Sequence, residues 1–257
     1  MTMIFCFSGT GTSLWVAQII AEQLREKVVM IGDALRAGEC NYTLKEGERI
    51  GFVFPVHSWG PPPVVLRFIS RLKISGRKPS TYIYMVCTCG DDIGLTAEIW
   101  RKAVGESGSM AAFSVQMPNT YILLPGFDVD ADDVAVRKMQ AARKRVEEIA
   151  LSIAERRCTV ETVKGSMPWL KSRLVYPLYR NFGISDKPYR VNASKCLHCG
   201  ACAAACPVGN IEMVDSLPRW KGDCVGCLAC IHRCSQRAIE YGKSTEKKGR
   251  YSFKLPK

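Results

Sequence analysis

Two short runs of cysteine constrain this chain more than any other feature of its sequence. The first run is Cys196, Cys199, Cys202 and Cys206, and the second is Cys224, Cys227, Cys230 and Cys234. Each run has the spacing C-x2-C-x2-C-x3-C, and together the runs hold eight of the 13 cysteines. Three thiols separated by two residues each converge from one tight loop, whereas the fourth begins a helical turn that points away. We therefore expect each run to direct three cysteines to one centre and its last cysteine to the other.

This spacing is the one with which bacterial ferredoxins bind two 4Fe-4S clusters. One predicted ligand set is Cys196, Cys199, Cys202 and Cys234, and the other is Cys224, Cys227, Cys230 and Cys206. Pro207 suits the pattern after the first run, whereas Ser235 stands where a second proline is expected. The alternative is a pair of structural zinc sites, which usually have two C-x2–4-C pairs separated by a longer stretch. Four cysteines within eleven residues, repeated once, favour iron–sulfur clusters.

A chain of 257 residues is long enough for one sizeable core and a small second module. No apolar run approaches the ~18 residues that span a bilayer. The apolar N-terminus lacks the basic segment of a signal peptide. Many cysteines also occur in secreted disulfide scaffolds, but those are short exported chains. Metal-binding thiolates instead indicate the reducing cytoplasm, where we expect the protein.

The formal net charge of +12 lies mainly in the second part of the chain. Residues 1–160 contain 19 Lys and Arg against 17 Asp and Glu, whereas residues 161–257 contain 17 against 7. A basic half of a chain attracts acidic proteins, anionic membrane surfaces or nucleic acid. No helix-turn-helix, zinc-finger or aromatic RNA-binding signature supports nucleic acid. We expect an acidic redox protein as the partner, with a membrane surface as a less favoured alternative.

The N-terminal segment predicts an anion-binding loop. The apolar run 3–7 suits a buried parallel strand, and apolar residues recur at helical spacing from Leu14 to Leu24. The turn between them is Ser8, Gly9, Thr10, Gly11, Thr12 and Ser13. Such a turn at a helix N-terminus binds phosphate, but it has neither a Walker A lysine nor the third glycine of a dinucleotide fingerprint. It best suits a phosphate monoester held without metal, and an ordinary glycine-rich turn is the alternative.

Further apolar runs predict strands at 28–31, 49–54, 81–87 and 111–117, with helices between them. With the first strand, they predict an α/β fold with a doubly wound, five-stranded parallel sheet. Ligands of such sheets bind beyond the carboxyl ends of the strands. The two loops there contain His57, Ser58, Trp59 and Gly60, and Thr88, Cys89, Gly90 and Asp91. We predict that Trp59 is a stacking platform, with a place in the core as the alternative.

These loops carry a resemblance to a known family. Ser8-x-Thr10-Gly11-x-Ser13 resembles the flavodoxin phosphate loop, and residues 57–60 and 89–91 resemble its two flavin-flanking loops. Over roughly residues 3–155 and 190–242, the chain resembles the bacterial flavodoxin–ferredoxin fusion family. The resemblance implies FMN, with its phosphate at 8–13, one ring face under Trp59 and the ring edge near residues 89–91. Flavodoxins often have an aromatic for the other face where this chain has 92–94, which implies a flavin open on that side.

The same reasoning predicts the domain organisation. A flavodoxin-like FMN-binding domain is expected at 1–157, a docking linker at 158–189, a small α+β two-cluster ferredoxin domain at 190–242, and a basic, mobile tail at 243–257. The linker is too apolar for a flexible tether. A membrane-surface helix is the alternative there, but Pro177 is expected to interrupt it.

Single residues outside these motifs carry weaker predictions. His57 is placed to hydrogen-bond a ring at the loop, whereas His198 and His232 lie between cluster cysteines and are expected on the loop surface. Cys87 and Cys89 form a C-x-C pair, for which buried packing is favoured over a redox role.

The combination of clusters and flavin predicts an electron-transfer protein. It would relay single electrons between two 4Fe-4S clusters and FMN within one chain and pass them to a protein partner. The first alternative is a flavin-dependent reductase, fed by the clusters, that acts on a small substrate at the open flavin face. The second is a flavodoxin fold that serves as an empty docking module.

Overall fold

The computed structural model describes residues 2–105 and 109–253. Before position 162, the strands in these residues are β1 (Met3–Cys6), β2 (Lys27–Met30), β3 (Asn41–Thr43), β4 (Ile50–Pro55), β5 (Lys73–Ser75), β6 (Ile83–Cys89), β7 (Met110–Gln116) and β8 (Val160–Glu161). Strands β3 and β5 form a separate parallel pair. The other six form one parallel sheet in the order β2-β1-β4-β6-β7-β8.

The predicted α/β fold with a doubly wound parallel sheet is confirmed. All five predicted strands are present, with ends displaced by no more than two residues. Without β8 their order is 2-1-3-4-5, which is the flavodoxin-like order. The sixth strand was missed because β8 has two exposed residues and therefore no apolar run. The order reverses between β1 and β4, so the switch point, where such sheets bind ligands, lies at the loops that follow these two strands.

Five helices cover the two faces of the sheet: α1 (Thr12–Leu24), α2 (Ile31–Ala37), α3 (Pro63–Arg71), α4 (Thr96–Val104) and α5 (Asp132–Ala154). Side chains alternate along β1, so Ile4 and Cys6 join the core with α1 and α5. Phe5 and Phe7 join the core on the opposite face, with α2, α3 and α4. The sheet therefore has a buried core on each side.

The cysteine runs lie in a small second module with its own core. Its strands are β9 (Tyr189–Val191), β10 (Ile211–Val214), β11 (Leu217–Trp220) and β12 (Ile239–Tyr241), which pair antiparallel as β9–β12 and β10–β11. The short helices Ala201–Ala204 and Ala229–Arg233 follow the first cysteines of each run. Ile122, from the loop after β7, is fully buried in this core. The module is a small α+β unit, as predicted, and the sheet domain contributes to its interior.

Residues 168–183 form a helix between the two modules, which we call the linker helix. It consists of four consecutive segments, Pro168–Leu170, Lys171–Val175, Tyr176–Leu178 and Tyr179–Gly183, of which the second and fourth are π-helical. The expectation that Pro177 interrupts a helix here is wrong. The wider turns on either side let the chain pass through a proline that lacks an N–H donor.

The segment after Gly242 is packed as far as residue 253, so the prediction of a mobile tail is wrong for residues 243–253. Arg250 forms a largely buried ion pair with Glu240, and the Gly249 N–H donates to Asp128 Oδ1 at 2.9 Å. His232 was predicted on the loop surface, and this is also wrong. The Tyr251 N–H donates to His232 Nδ1 at 3.0 Å, while Nε2 lies 2.7 Å from Thr120 O. His232 therefore joins the tail to the sheet domain.

Residues 254–257 of the predicted tail lie outside the described residues. None of the helices within 2–105 and 109–253 is long and apolar enough to cross a bilayer. The predicted domain boundaries stay a prediction.

Candidate cofactor sites

The eight cysteines of the two runs line two cavities in the second module. The inner cavity, of about 290 Å³, is lined among others by Cys206, Cys224, Cys227 and Cys230. The outer cavity, of about 420 Å³, is lined among others by Cys196, Cys199, Cys202 and Cys234. Each cavity receives three cysteines from one run and the last cysteine of the other. The fold thus brings together the same two sets of thiols that the spacing predicts, while their binding of clusters stays a prediction.

Backbone N–H groups in both runs point at cysteine sulfurs. Asn210 N lies 3.2 Å from Cys206 Sγ, and Ala238 N lies 3.3 Å from Cys234 Sγ, which is the same offset of four residues in each run. A second pair repeats at an offset of two: the His198 N–H approaches Cys196 Sγ and the Gly226 N–H approaches Cys224 Sγ, both at 3.4 Å. Donors aimed at sulfur stabilise thiolate ligands of iron–sulfur clusters and help to set their potential.

Of the cysteines that line the inner cavity, Cys230 is buried, and Cys206, Cys224 and Cys227 are partly buried. Burial raises the pKa of Cys230 to about 12, and it also raises the pKa of Cys227. Binding of a metal centre therefore requires release of these protons, which the charge of the centre makes favourable. In residues 2–105 and 109–253, no three His, Cys, Asp or Glu side chains form a group that could hold a single metal ion.

The inner cavity lies directly against the sheet domain. A Cβ atom on Gly9, in the loop after β1, would overlap the carbonyl oxygen of Cys227, and one on Gly32 of α2 would overlap that of Pro207. Only glycine allows two backbones to come this close. Arg36 adds hydrogen bonds from Nη1 to Pro207 O at 2.9 Å and to Cys206 O at 3.3 Å. The module is therefore held on the sheet next to two of the four inner cysteines.

The predicted phosphate loop lies at the N-terminus of α1. Gly11 has φ 97°, and the described side chains provide no cap for the helix. The Gly11 N–H donates to Ser8 Oγ at 3.2 Å, while buried Thr12 and Ser13 begin the helix. An uncapped helix N-terminus lined by hydroxyls provides the N–H groups and the positive dipole end that bind a phosphate. Phe253 of the tail packs against Gly11, so the tail reaches this loop too.

The loop after β4 forms a tight turn with strained backbone. Ser58 has φ 48° and Trp59 has φ 63°, and His57 and Gly60 exchange two backbone hydrogen bonds of 2.9 and 3.2 Å. Two successive non-glycine residues in the left-handed region are costly and mark a turn that surrounding contacts must hold. Trp59 is half-buried, and Lys171 Nζ lies 5.0 Å from its ring centroid. One face of the Trp59 ring is therefore taken by a cation–π contact.

His57 is enclosed between two aromatic rings and is left with an unsatisfied atom. Its ring lies 6.2 Å from that of Phe7 and 6.3 Å from that of Tyr179, both edge-on. His57 Nδ1 is buried and has no hydrogen-bond partner among the described residues. A buried nitrogen without a partner is costly, so His57 Nδ1 is available to hydrogen-bond a group at the carboxyl end of β4.

Burial lowers the pKa of His57 to about 4, which predicts an acid-sensitive stability. In the unfolded chain the His57 imidazole binds a proton at about pH 6.5, whereas in the folded chain it does so only near pH 4. Between these values the unfolded state binds more protons, so stability falls by up to about 1.4 kcal/mol per pH unit as the pH is lowered. We expect His57→Gln to reduce the pH dependence of the free energy of urea unfolding between about pH 4 and pH 6.5. Above pH 7, the pH dependence should be the same as in the wild type. An equal slope in both proteins would contradict the burial of this ring.

The loop after β6 forms the adjoining wall. Thr88 is buried, with its Oγ1 2.7 Å from Ser13 Oγ, so this strand contacts the phosphate loop directly. Burial raises the pKa of Cys89 to about 12, which suits a packing residue. Gly90 packs against Asn119, and its carbonyl accepts a hydrogen bond from Lys138 Nζ at 3.1 Å. The Asp91 side chain is 80% exposed, so it points to solvent.

The linker helix covers the two flanking loops, which the sequence did not indicate. Ser172 Oγ donates to Trp59 O at 2.7 Å and accepts the Leu95 N–H at 2.8 Å. Tyr176 is buried on Gly60, and its hydroxyl donates to Pro61 O at 2.6 Å. The helix therefore joins the loops after β4 and β6, on the side where the sequence implies an open flavin face.

Tyr179 of the same helix connects this region to the inner cavity. Its ring is edge-on to His57, and its hydroxyl lies so close to Gly226 that a Cβ atom there would be 2.8 Å from the oxygen. Gly226 stands between the inner cysteines Cys224 and Cys227. The linker sequence contains the aromatic residues Tyr176, Tyr179 and Phe182, but their spacing alone does not tell which of them face inward.

The buried hydroxyl of Ser172 gives a direct test of this cover. We expect Ser172→Ala to lower the free energy of unfolding by about 1–3 kcal/mol, because the Leu95 N–H and the Trp59 carbonyl lose their shared partner in a dry site. The exposed Ser166, just before the linker helix, provides the matched control as Ser166→Ala. Chemical denaturation of both variants makes the comparison, and equal midpoints would show that the linker does not hold the loops.

Comparison with known proteins gives one family match. Residues 189–212 match the family model described as a 4Fe-4S binding domain. A 4Fe-4S binding domain lies here. The matched segment begins with β9 and contains the first cysteine run, from Cys196 to Cys206, whereas the second run lies beyond it. No curated protein matches the sequence.

Solved structures with some likeness to the chain include three azoreductases. An azoreductase from Bacillus anthracis str. Sterne has a TM-score of 0.39 at 10% identity, and azoreductase AzrA has 0.38 at 12%. An FMN-dependent NADH-azoreductase from Bacillus anthracis str. Ames Ancestor, in complex with FMN, has 0.35 at 13%. Each match covers 60% of this chain and 100% of the other. The strand order, and not these likenesses, defines the fold of the sheet domain.

Proposed function

We propose that this protein relays single electrons between two 4Fe-4S clusters and FMN within one chain and passes them to a protein redox partner. The observation that carries the proposal is the pair of cavities, each lined by three cysteines of one run and the last of the other. Such shared sets are how two-cluster ferredoxins hold their clusters. When bound, the clusters transfer one electron at a time and FMN exchanges electrons singly or in pairs.

The chain has residues suited to both kinds of group. The inner cluster would be bound by the cysteines at 206, 224, 227 and 230, and the outer by those at 196, 199, 202 and 234. The FMN phosphate would be bound by Ser8, Thr10, Gly11, Thr12 and Ser13, and its ring by His57, Ser58, Trp59, Gly60, Thr88, Cys89, Gly90 and Asp91. The uncapped α1 N-terminus and the unpartnered His57 Nδ1, both at the switch point of the sheet, support this assignment.

The arrangement of the module suggests an order for the relay. Cys199 at the outer cavity is exposed, which suits entry or exit of electrons by contact with a partner. The inner cavity is packed against Gly9 of the phosphate loop and against Tyr179. The protein's contribution is to hold these sites at fixed separations, through Arg36, the two glycines and the linker helix.

The alternative, a reductase of a small substrate, needs access to an open flavin face. Ser172 and Tyr176 hold the linker helix over the flanking loops, which favours the relay. We further propose an acidic redox protein as partner, because residues 161–257 hold 17 Lys and Arg against 7 Asp and Glu. Thiols that must stay reduced suggest the cytoplasm as the location.

Purification without oxygen tests the proposal. We expect brown protein with about eight iron atoms and a similar amount of sulfide per chain, and a yellow cofactor released by heat. Reduction by a one-electron donor should bleach the absorbance of the clusters and of the flavin in the isolated chain. Colourless protein that contains zinc would refute the clusters, and iron without FMN would leave the sheet domain as a docking module.

A further inference from the structure

The outer side of the linker helix carries an apolar row. Leu170, Leu174, Leu178 and Phe182 are spaced four residues apart, so they lie along one side of the helix over about 18 Å. All four are exposed, and Phe182 is exposed at 81%. The inward side of the same helix holds Ser172 and Tyr176, which are buried on the sheet domain. The helix is thus docked on one side and apolar on the other.

The linker helix that carries the apolar row also has aromatic and basic residues. Trp169 is 61% exposed beside its N-terminal end, and Phe182 closes its C-terminal end. Residues 162–185 contain four cations, Lys164, Lys171, Arg173 and Arg180, and no Asp or Glu. An apolar side with Leu, Trp and Phe, bordered by Lys and Arg, is typical of helices that lie in the plane of an anionic membrane surface.

The acids that face this helix from neighbouring elements do not cancel its charge. Glu98 of α4 is shared by Lys164 at 3.2 Å and Arg173 at 3.9 Å. Asp92, in the loop after β6, pairs with Lys171 at 2.8 Å. These two carboxylates pair with three of the four cations, so the segment and the acids that pair with it keep a net positive charge.

From this geometry we infer that the linker helix binds the protein to the surface of an anionic lipid bilayer through the apolar row. The row stands on the outside of a helix, and a convex row of Leu and Phe enters a planar interface without a matching groove. A protein redox partner has a different place to dock, at the outer cavity, where Cys199 is exposed. The bilayer would hold the chain by its linker and leave that cavity free.

Vesicle co-sedimentation of the intact, anaerobically purified chain tests the inference. One vesicle preparation contains phosphatidylcholine alone, and the other an equimolar mixture of phosphatidylcholine and phosphatidylglycerol. We expect binding to the mixed vesicles that weakens with salt, and weaker binding to the neutral ones. Leu174→Ser/Leu178→Ser should lower the partition coefficient onto the vesicles by about tenfold or more, because two leucine side chains are no longer transferred from water into the bilayer. Leu151→Ser/Val136→Ser, on the exposed side of α5, is the matched control and should bind like the wild type.

A second pair of variants tests the charges. Arg173→Gln/Arg180→Gln should weaken binding to mixed vesicles by about fivefold for each arginine and leave binding to neutral vesicles unchanged. Its control is Lys102→Gln/Lys144→Gln, at two exposed lysines of α4 and α5. Three results would each overturn the inference. The wild-type protein could bind neither vesicle preparation, or the Leu174→Ser/Leu178→Ser variant could bind as well as the wild type. Light scattering could also show that the wild type is a dimer and that this variant is a monomer, so that the apolar row binds a second copy of the chain.

Discussion

Replacement of Cys206 by serine should remove about four iron atoms per chain and leave a second cluster intact. Cys206 closes the first cysteine run in sequence, but in the fold it lines the inner cavity with three cysteines of the second run. Its loss should therefore disturb the inner centre, whereas Cys234→Ser should disturb the outer one. Cys158, exposed and outside both runs, is the control, and Cys158→Ser should keep the full iron content.

Pairs of substitutions separate this prediction from its alternative. Cys206→Ser/Cys224→Ser affects one cavity twice, so about four iron atoms should remain, while Cys206→Ser/Cys196→Ser affects both cavities and should leave almost none. If each run bound its own cluster, the two results would be exchanged. Iron and sulfide analysis of anaerobically purified protein, together with its spectrum, makes the measurement. That exchanged result would contradict the shared ligand sets.

Gly32→Val should separate the second module from the sheet. The Pro207 carbonyl occupies the place of a side chain at Gly32, and the same carbonyl accepts a hydrogen bond from Arg36. A bulky residue must push the module away or distort α2, and overpacking of this kind costs about 1–3 kcal/mol. We expect a lower midpoint in chemical denaturation and slower passage of electrons from the clusters to the flavin. Iron and flavin content should be retained, because neither set of proposed ligands is changed.

Ala37→Val is the matched control for this prediction. Ala37 lies on the same helix but is exposed, so the added methyl groups meet solvent and only the intrinsic cost of valine in a helix remains. Flash photoreduction of the clusters, followed at flavin wavelengths, measures the internal rate in both variants. A rate and a midpoint equal to those of Ala37→Val would show that the close approach at Gly32 is not needed.

The predictions that followed from short sequence spacings agree with the fold of the described residues. Apolar runs predicted five strands of the sheet, because a strand buried on both faces needs a continuous apolar segment. The short β8, exposed and two residues long, carries no such signal. The cysteine spacings are also local, because the direction of each thiol depends on its own loop and turn. The sequence could therefore predict which four thiols line each cavity.

The linker shows where such reasoning ends. Its composition predicted docking, but only the tertiary structure decided that Ser172 and Tyr176 face the flanking loops while the row from Leu170 to Phe182 stays exposed. Apolar residues occur on both sides of this helix, and the π-helical turns change the spacing that a helical pattern assumes.

What the sequence by itself determined was therefore the class of each module and the kind of ligand that its motifs suit. The tertiary structure decided that one cavity is inner and one outer, that Tyr179 stands between His57 and the inner cysteines, and that the tail packs on both modules. Several of these contacts join residues more than a hundred positions apart, such as Gly9 and Cys227 or Tyr179 and His57. No local pattern encodes such pairs, because they depend on how two finished surfaces fit together.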